Sequence, residues 1–422
     1  MNYIIIGNSA AGLFAAEGLR KVDSQGKITV LTADHYPPYS RCLTTYYLAG
    51  DIREEQLFLR TTEELARLNL NTHYRVRVTG LDPEGQRVST ASGEVFDYDR
   101  CLIATGASAV SLDIAGAALP EVFTLRHLEN AKAIQKFIKK GRKAVIIGGG
   151  LVSLKSAYAL RKQGMEVHVI VSSGYILSQM LNSSAAERLE EHLKDHGIHI
   201  SLNSDVAAIK GKEHVEAVEL KCGRIIDTNL VIIGKGVQPN VEPFLNSGLK
   251  INHGILVNEY LETNLPHVYA AGDVAETWDF LRECPRINAV WPNATEQGRV
   301  AALNMAGRKT IYKGSMGMNS VDFFGLRIIS GGVITPLAHK KDIENALPWK
   351  VTEGQESWSK PLAKASTYQS LIWKGNYLKG YVLIGYPERA GLLTAMIRTQ
   401  EPLAPEVQRN IEAGNRKIVK LK

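Results

Sequence analysis

The chain has 422 residues, 45% of them apolar, and its 50 Lys and Arg exceed its 43 Asp and Glu to give a net charge of +7. That is an ordinary soluble composition with length for two or three domains and real cores. Cysteines 42, 101, 222 and 284 are far apart and form no CxxC pair, which excludes a disulfide framework, a zinc site or an iron–sulfur cluster within the chain and points to a reducing cytoplasm. No metal is expected. The basic residues gather in KKGRK (139 to 143) and in the C-terminal RKIVKLK, readable either as a solvated face or as an electrostatic docking face for an acidic partner. No arginine-rich or aromatic-basic motif favours nucleic acid.

The opening MNYIIIGNSAAGLFAAEGLR has a short apolar run with no basic region before it, so it reads as a strand entering a helix, and no signal peptide or membrane span is indicated. Gly7, Ser9 and Gly12 stand at the positions of a G-x-G-x-x-G turn, where the backbone must turn tightly and approach a pyrophosphate at a helix N-terminus. Ser9 for glycine is the one departure, and a small hydroxyl side chain still allows close approach. The next strand, KITVLTAD, ends in Asp34, placed to bind a ribose hydroxyl. PYSRCLTTYYLAG then sets Cys42 among aromatic and small residues, and DYDRCLIATGA (97 to 107) is an apolar strand running into a glycine turn.

A second copy of the strand–turn–helix pattern, AVIIGGGLVSLKSAYAL, begins at 144, with Gly148, Gly150 and then Ser153 in the place of the third glycine. Its following strand, MEVHVIVSS, ends without an acid: Val171 stands where the ribose carboxylate is expected, followed by Ser172 and Ser173, with no arginine to hold a 2′-phosphate. NLVIIGKGVQPN (229 to 240) and NLPHVYAAGDVAE (264 to 276) again deliver turns at strand ends, a pattern that suits ligand lining. After about residue 312 alternating stretches such as YQSLIWKGNYLKGYVLIG predict an antiparallel hairpin sheet with GN at the turn, and mark a third domain.

Taken together these segments resemble the FAD-dependent pyridine nucleotide-disulfide oxidoreductase family along nearly the whole chain. Through YSR, YYLAG, WPNATEQGRVAALNMAG, MNSVDFFGLRIISGG and PERAGLLTAMIR the sequence is similar to the branch of NADH oxidases, rubredoxin reductases and nitrite-reductase large subunits. The resemblance implies an α/β fold of two Rossmann-like dinucleotide-binding domains, the second inserted in the first, plus an α+β C-terminal interface domain. Its boundaries are 1–110 and 242–312 for the FAD-binding domain, 111–241 for the NAD(P)-binding domain and 313–422 for a domain that forms a dimer or partner interface.

The same resemblance implies that Gly7, Ser9, Ala10, Ala11, Gly12 and Asp34 hold the ADP half of FAD, with Arg41 in the same site and Val78 near the adenine. Thr105 and Gly106 lie at the crossover, and Gly272 and Asp273 meet the ribityl-phosphate. A carboxylate at a strand end accepts hydrogen bonds from ribityl hydroxyls while backbone amides hold phosphates; the plainer role for Asp273 is a helix N-cap. Gln297 and Gly298 would start a helix aimed at the flavin pyrimidine, or a helix that only packs. Gly148, Gly150, Ser153 and Gly236 fall to NAD(P)H. Lys155 replaces a glutamate usual in relatives; facing inward it would raise the flavin potential, and facing solvent it would do nothing.

Three functions follow as expectations. One is an NAD(P)H oxidoreductase passing electrons between nicotinamide and an acidic iron–sulfur carrier of the ferredoxin or rubredoxin type. Another is an NADH oxidase, peroxidase or CoA-disulfide reductase using Cys42, with Lys155 the other candidate catalytic residue. The third is a flavin-binding subunit of a larger redox complex. The spacing from Asp34 to Cys42 suits the redox-cysteine branch, whereas the flanks resemble the cysteine-free branch, in which Cys42 is a small apolar filler. A cytoplasmic homodimer or complex subunit, with no membrane or nucleic-acid partner, completes the expectation.

Overall fold

The computed structural model describes residues 1–335, 349–354, 367–385 and 387–413, and the basic run RKIVKLK (416–422) lies outside the described residues. The chain forms two compact units: Met1–Val110 with Arg126–Ala133 and Gly236–Met316, and Ser111–Leu125 with Ile134–Lys235 and Gly317–Lys422.

The first unit is built on a five-stranded parallel sheet in the order Val268–Ala270, Arg100–Ile103, Asn2–Ile6, Lys27–Thr32, Leu70–Tyr74. Its central strand reads NYIII because both of its faces are covered, and a strand buried on both faces is a continuous apolar run rather than an alternating one. Tyr3 and Ile5 pack with Ala15, Leu19, Ala301 and Ala302 of the helices Ala10–Val22 and Trp291–Met305. Ile4 and Ile6 join Leu31, Val88 and Phe244 on the other face. The two helices come close through small residues: a Cβ on Gly18 would stand 2.8 Å from the Ala302 Cβ, and one on Gly298 would collide with the Ala11 carbonyl.

The second unit repeats the plan with a parallel sheet in the order Ile198–Ser201, Glu166–Ile170, Lys143–Ile147, Leu230–Ile233, Val122–Thr124. It also contains an antiparallel sheet of Met318–Phe323, Leu326–Gly332, Tyr377–Ile384, Tyr368–Lys374 and Trp349–Gly354, in that order. The expected hairpin is there, with Lys374 opposite Tyr377 and Gly375 at φ +57°, the left-handed conformation a two-residue loop needs. Polar contacts tie this sheet to the second dinucleotide fold. His192 Nε2 meets the Phe323 carbonyl at 2.8 Å, and Asn182 Nδ2 donates to the Tyr368 hydroxyl at 2.8 Å and to Ser370 Oγ at 3.3 Å.

KKGRK is exposed from Lys139 to Lys143 and enters the strand Lys143–Ile147 at the end opposite Gly148. At about 3.3 Å per residue, this basic segment lies roughly 16 Å along the sheet from the glycine turn. Among the described residues no helix is long and apolar enough to cross a membrane.

Candidate active site

In the first unit the central strand delivers Gly7 and the start of helix Ala10–Val22 to one edge of the sheet. Gly7 has φ +112°, and a Cβ there would collide with the Ala104 carbonyl; a Cβ on Gly12 would collide with the Gly7 carbonyl. The turn therefore requires glycine at both places for its own geometry. It opens on a cavity of about 910 Å³, lined by Gly7, Ser9, Ala10 and Ala11 of the turn and by Asp34. Arg41, Cys42, Val78, Thr105, Gly106, Gly272 and Asp273 complete the set of sequence-predicted residues on its wall. Gly12 sits beneath the turn and does not line the cavity.

Arg41 is the hub of a polar cluster on this wall. Its Nε donates to Ser9 Oγ at 3.3 Å, so the residue that replaces a motif glycine has become an anchor for a cation beside the turn. Its Nη1 donates to the Tyr39 hydroxyl at 3.0 Å and to His127 Nδ1 at 2.7 Å, and its Nη2 lies 3.4 Å from Asp34 Oδ2. The Tyr39 hydroxyl donates to Asp34 at 3.1 Å and accepts from the Leu128 amide at 3.1 Å. Burial raises Tyr39 to about 12, which keeps that donor protonated. Burial, then the Arg41 charge, lowers His127 to about 4, so the ring is neutral at pH 7 and presents Nδ1 to Arg41 as an acceptor.

Asp273 follows the strand Val268–Ala270 and pairs with Arg126 Nη2 at 2.8 Å, while Arg126 Nε donates to the Ala107 carbonyl at 2.9 Å and its own carbonyl accepts from Arg41 Nη1 at 3.4 Å. Cys42 opens onto the cavity from the short helical turn Arg41–Leu43. Burial by the surrounding wall and then the Asp273 charge push its thiol up, against the opposing pull of Arg126. Sequence reasoning missed Arg126, His127 and Glu129, all on the cavity wall, because the run 126–133 sits between segments of the inserted fold and returns to the first unit.

Two sequence expectations are corrected. The helix expected to start at Gln297 and Gly298 begins at Trp291, so these residues lie almost two turns inside it. Gln297 is buried, accepts the Gly272 amide at 2.7 Å and donates toward Thr277 and Tyr312; it shapes the Gly272 turn from behind, and Val290, Trp291 and Ala294 line the cavity instead. Pro292 was the available signal, since proline favours the first helical turn. Lys155 does not face solvent. It is 4% exposed within the second unit, donates to the Asp322 carbonyl at 3.1 Å, and lies 4.1 Å from the Tyr158 ring centroid and 5.5 Å from that of Phe323. A cation between two aromatic faces is held by the negative ring quadrupoles, which fixes Lys155 in this position.

In the second fold Gly148 has φ +124°, where a Cβ would collide with the Gly234 carbonyl, and Ser153 Oγ donates to that carbonyl at 3.1 Å. Gly150 caps the helix Leu151–Lys162, and Gly236 is exposed with φ +96°.

The profile of the pyridine nucleotide-disulphide oxidoreductase family matches residues 1–298. The chain belongs to this family. It is an FAD-dependent NAD(P)H oxidoreductase, with FAD and NAD(P)H as cofactors. The cavity of the first unit fits the FAD of such an oxidoreductase: its volume lies at the upper end of the ~300–1,000 Å³ usual for cofactor sites, its glycine turn keeps the tight geometry that only residues without a Cβ allow, and Arg41, Arg77 and Arg126 stand on its wall.

Among the relatives of this oxidoreductase are the nitrite reductase [NAD(P)H] of Bacillus subtilis (strain 168), 29% identical over 403 residues, and the rubredoxin-NAD(+) reductase of Pseudomonas putida, 28% identical over 313 residues. The first alignment covers 95% of this chain but 48% of the nitrite reductase, so the chain spans about half the length of that relative; the second covers 74% of this chain and 81% of the relative. The solved structure of an NAD-dependent persulfide reductase from A. fulgidus superposes with a TM-score of 0.89 at 28% identity, over 97% of this chain and 78% of that one.

Proposed function

We propose that this oxidoreductase passes electrons between NAD(P)H and a small acidic iron–sulfur carrier of the ferredoxin or rubredoxin kind, with FAD in the cavity of the first unit. FAD, when bound, supplies the conversion between a two-electron hydride and single electrons. The observation that carries the reading is an exposed tryptophan on the hairpin that leads into the cavity wall, with cations exposed on that hairpin and on the segment 308–313. Trp278 is 50% exposed and Ile311 59% exposed, and Arg286, Arg308, Lys309 and Lys313 are exposed too. Pro285 pairs with Trp278 across the strands, and the chain runs from Arg286 directly into Ala289, Val290 and Trp291 on the cavity wall. An exposed aromatic residue with cations on neighbouring segments suits an acidic partner, and one relative is named a rubredoxin-NAD(+) reductase.

Opposite-charge steering makes the association rate fall with ionic strength. Stopped-flow reduction of a ferredoxin by the FAD-loaded chain is therefore expected to slow by about tenfold or more between low and physiological salt. A flat salt profile, or no electron transfer to any acidic carrier, would remove the carrier from the reading.

A second reading, reduction of a peroxide, disulfide or persulfide through Cys42, is favoured by the opening of that thiol onto the cavity. Against it, the reactive form of a cysteine is the thiolate, and burial and Asp273 both favour the thiol. His127 is no base for it either, since its Nδ1 faces Arg41. Cys42→Ser is expected to keep FAD and to change the rate of electron transfer to a carrier by less than about twofold, because a hydroxyl conserves volume. Steady-state rates with a dye acceptor, peroxide and CoA disulfide on both proteins decide it: loss of all activity with flavin retained would make Cys42 the catalytic centre.

A further inference from the structure

We propose that Lys235 and Ser172 form a site for the 2′-phosphate of NADPH, so that the second dinucleotide fold prefers the phosphorylated nicotinamide nucleotide; this rests on the reading of that fold as the nicotinamide site. The strands Glu166–Ile170 and Leu230–Ile233 flank the strand Lys143–Ile147, so the loops that follow them stand on either side of the glycine turn 148–150. In such folds the adenosine ribose lies at the end of the second strand, where an acid takes the 2′-hydroxyl of NAD or a nearby cation takes the 2′-phosphate of NADP.

The acid is absent, and its replacement is committed elsewhere. Val171 is 1% exposed, and a Cβ on Gly149 would stand 2.6 Å from its Cγ1, so the side chain fills the space under the turn and offers neither an acceptor to a hydroxyl nor a charge to repel a phosphate. The next residue, Ser172, is exposed. Lys235 Nζ, arriving from the loop on the far side of the turn, donates to Ser172 Oγ at 3.2 Å. An ammonium is thus held at the ribose end of the fold. Because Ser172 Oγ accepts this bond, its own proton is free to donate to a phosphate oxygen, and Lys235 keeps further donors for the same group. Ser173 is not part of the site, since its hydroxyl donates to the Tyr175 carbonyl at 2.9 Å. A dianionic phosphate between a lysine and a hydroxyl makes charge-assisted hydrogen bonds that a ribose hydroxyl cannot match.

Calorimetric titration of the FAD-loaded full chain with NADP⁺ and with NAD⁺ at one fixed salt concentration tests this without turnover. The wild type is expected to bind NADP⁺ at least about tenfold more tightly than NAD⁺, the scale of a hydrogen-bonded charge. Lys235→Ala should weaken NADP⁺ by about tenfold or more and leave NAD⁺ within about twofold. Val171→Glu should reverse the preference. Equal affinities in the wild type, or a ratio unchanged in a Lys235→Ala protein of normal melting temperature, would overturn the phosphate site alone. Failure of both nucleotides to bind would overturn it together with the nicotinamide reading of the fold.

Discussion

Gly12→Val should purify colourless, with FAD content reduced by more than about tenfold and no recovery on incubation with excess FAD. Any Cβ at this position enters the Gly7 carbonyl, a backbone atom that cannot rotate away as a side chain can. Gly7 is fixed in turn by its amide, which donates to the Leu31 carbonyl at 2.8 Å, and by the Ala104 carbonyl against its own Cα. The helix start therefore has to move outward, carrying Ser9, Ala10 and Ala11 into the cavity they line. Overpacking of this kind costs about 1 to 3 kcal/mol in the fold and more in the ligand, since the displaced amides are those that would hold the pyrophosphate of bound FAD. Gly93→Ala is the control: its φ of +86° strains any side chain, but a Cβ there meets nothing within 4 Å, so it reports a backbone cost without a collision. Flavin absorbance and far-ultraviolet circular dichroism on both variants separate loss of the site from loss of the fold. A yellow Gly12→Val protein would mean that the cavity in the first unit is not the FAD site.

Lys155→Glu is expected to lower the melting temperature sharply, while any change in flavin chemistry follows only from lost folding. The substitution would set a carboxylate against the Asp322 carbonyl and the faces of Tyr158 and Phe323, all of which favour a cation. An uncompensated buried charge costs on the order of 3 to 5 kcal/mol. Lys155→Met keeps most of the volume and brings no charge, so it should cost about 1 to 2 kcal/mol less than the glutamate. Thermal melts of the three proteins rank the effect, and a reductive titration of whatever Lys155→Glu remains folded tests the alternative. A shifted flavin potential with an unchanged melting temperature would return Lys155 to the flavin.

The parts of the molecule legible in the sequence are those whose cause is local. Gly7 and Gly12 announce a turn because backbone sterics at two positions five residues apart leave no room for a Cβ, and YIII announces a doubly covered strand because every residue in it is apolar. Asp34, Thr105, Gly106, Gly272 and Asp273 reach one cavity because each ends a parallel strand, and parallel strands end at one edge of their sheet. The GN hairpin is equally local, resting on the left-handed conformation of Gly375.

What only the tertiary structure decided is the set of contacts between segments far apart in the chain. Arg126 and Asp273 are separated by 147 positions, and Lys235 and Ser172 by 63, so neither pair leaves a periodic or motif-length trace. Position in the chain puts the segment 126–133 in the inserted fold, yet its arginine and histidine line the cavity of the first unit, because a few residues of an insertion can pack back onto the fold it interrupts. Lys155 shows the same limit for a single side chain. Its helix position was plain from the repeat beginning at 144, but which surface that face meets was fixed by a strand more than 160 residues later, where the Asp322 carbonyl and the Phe323 ring supply the electrostatic environment that makes a buried cation stable.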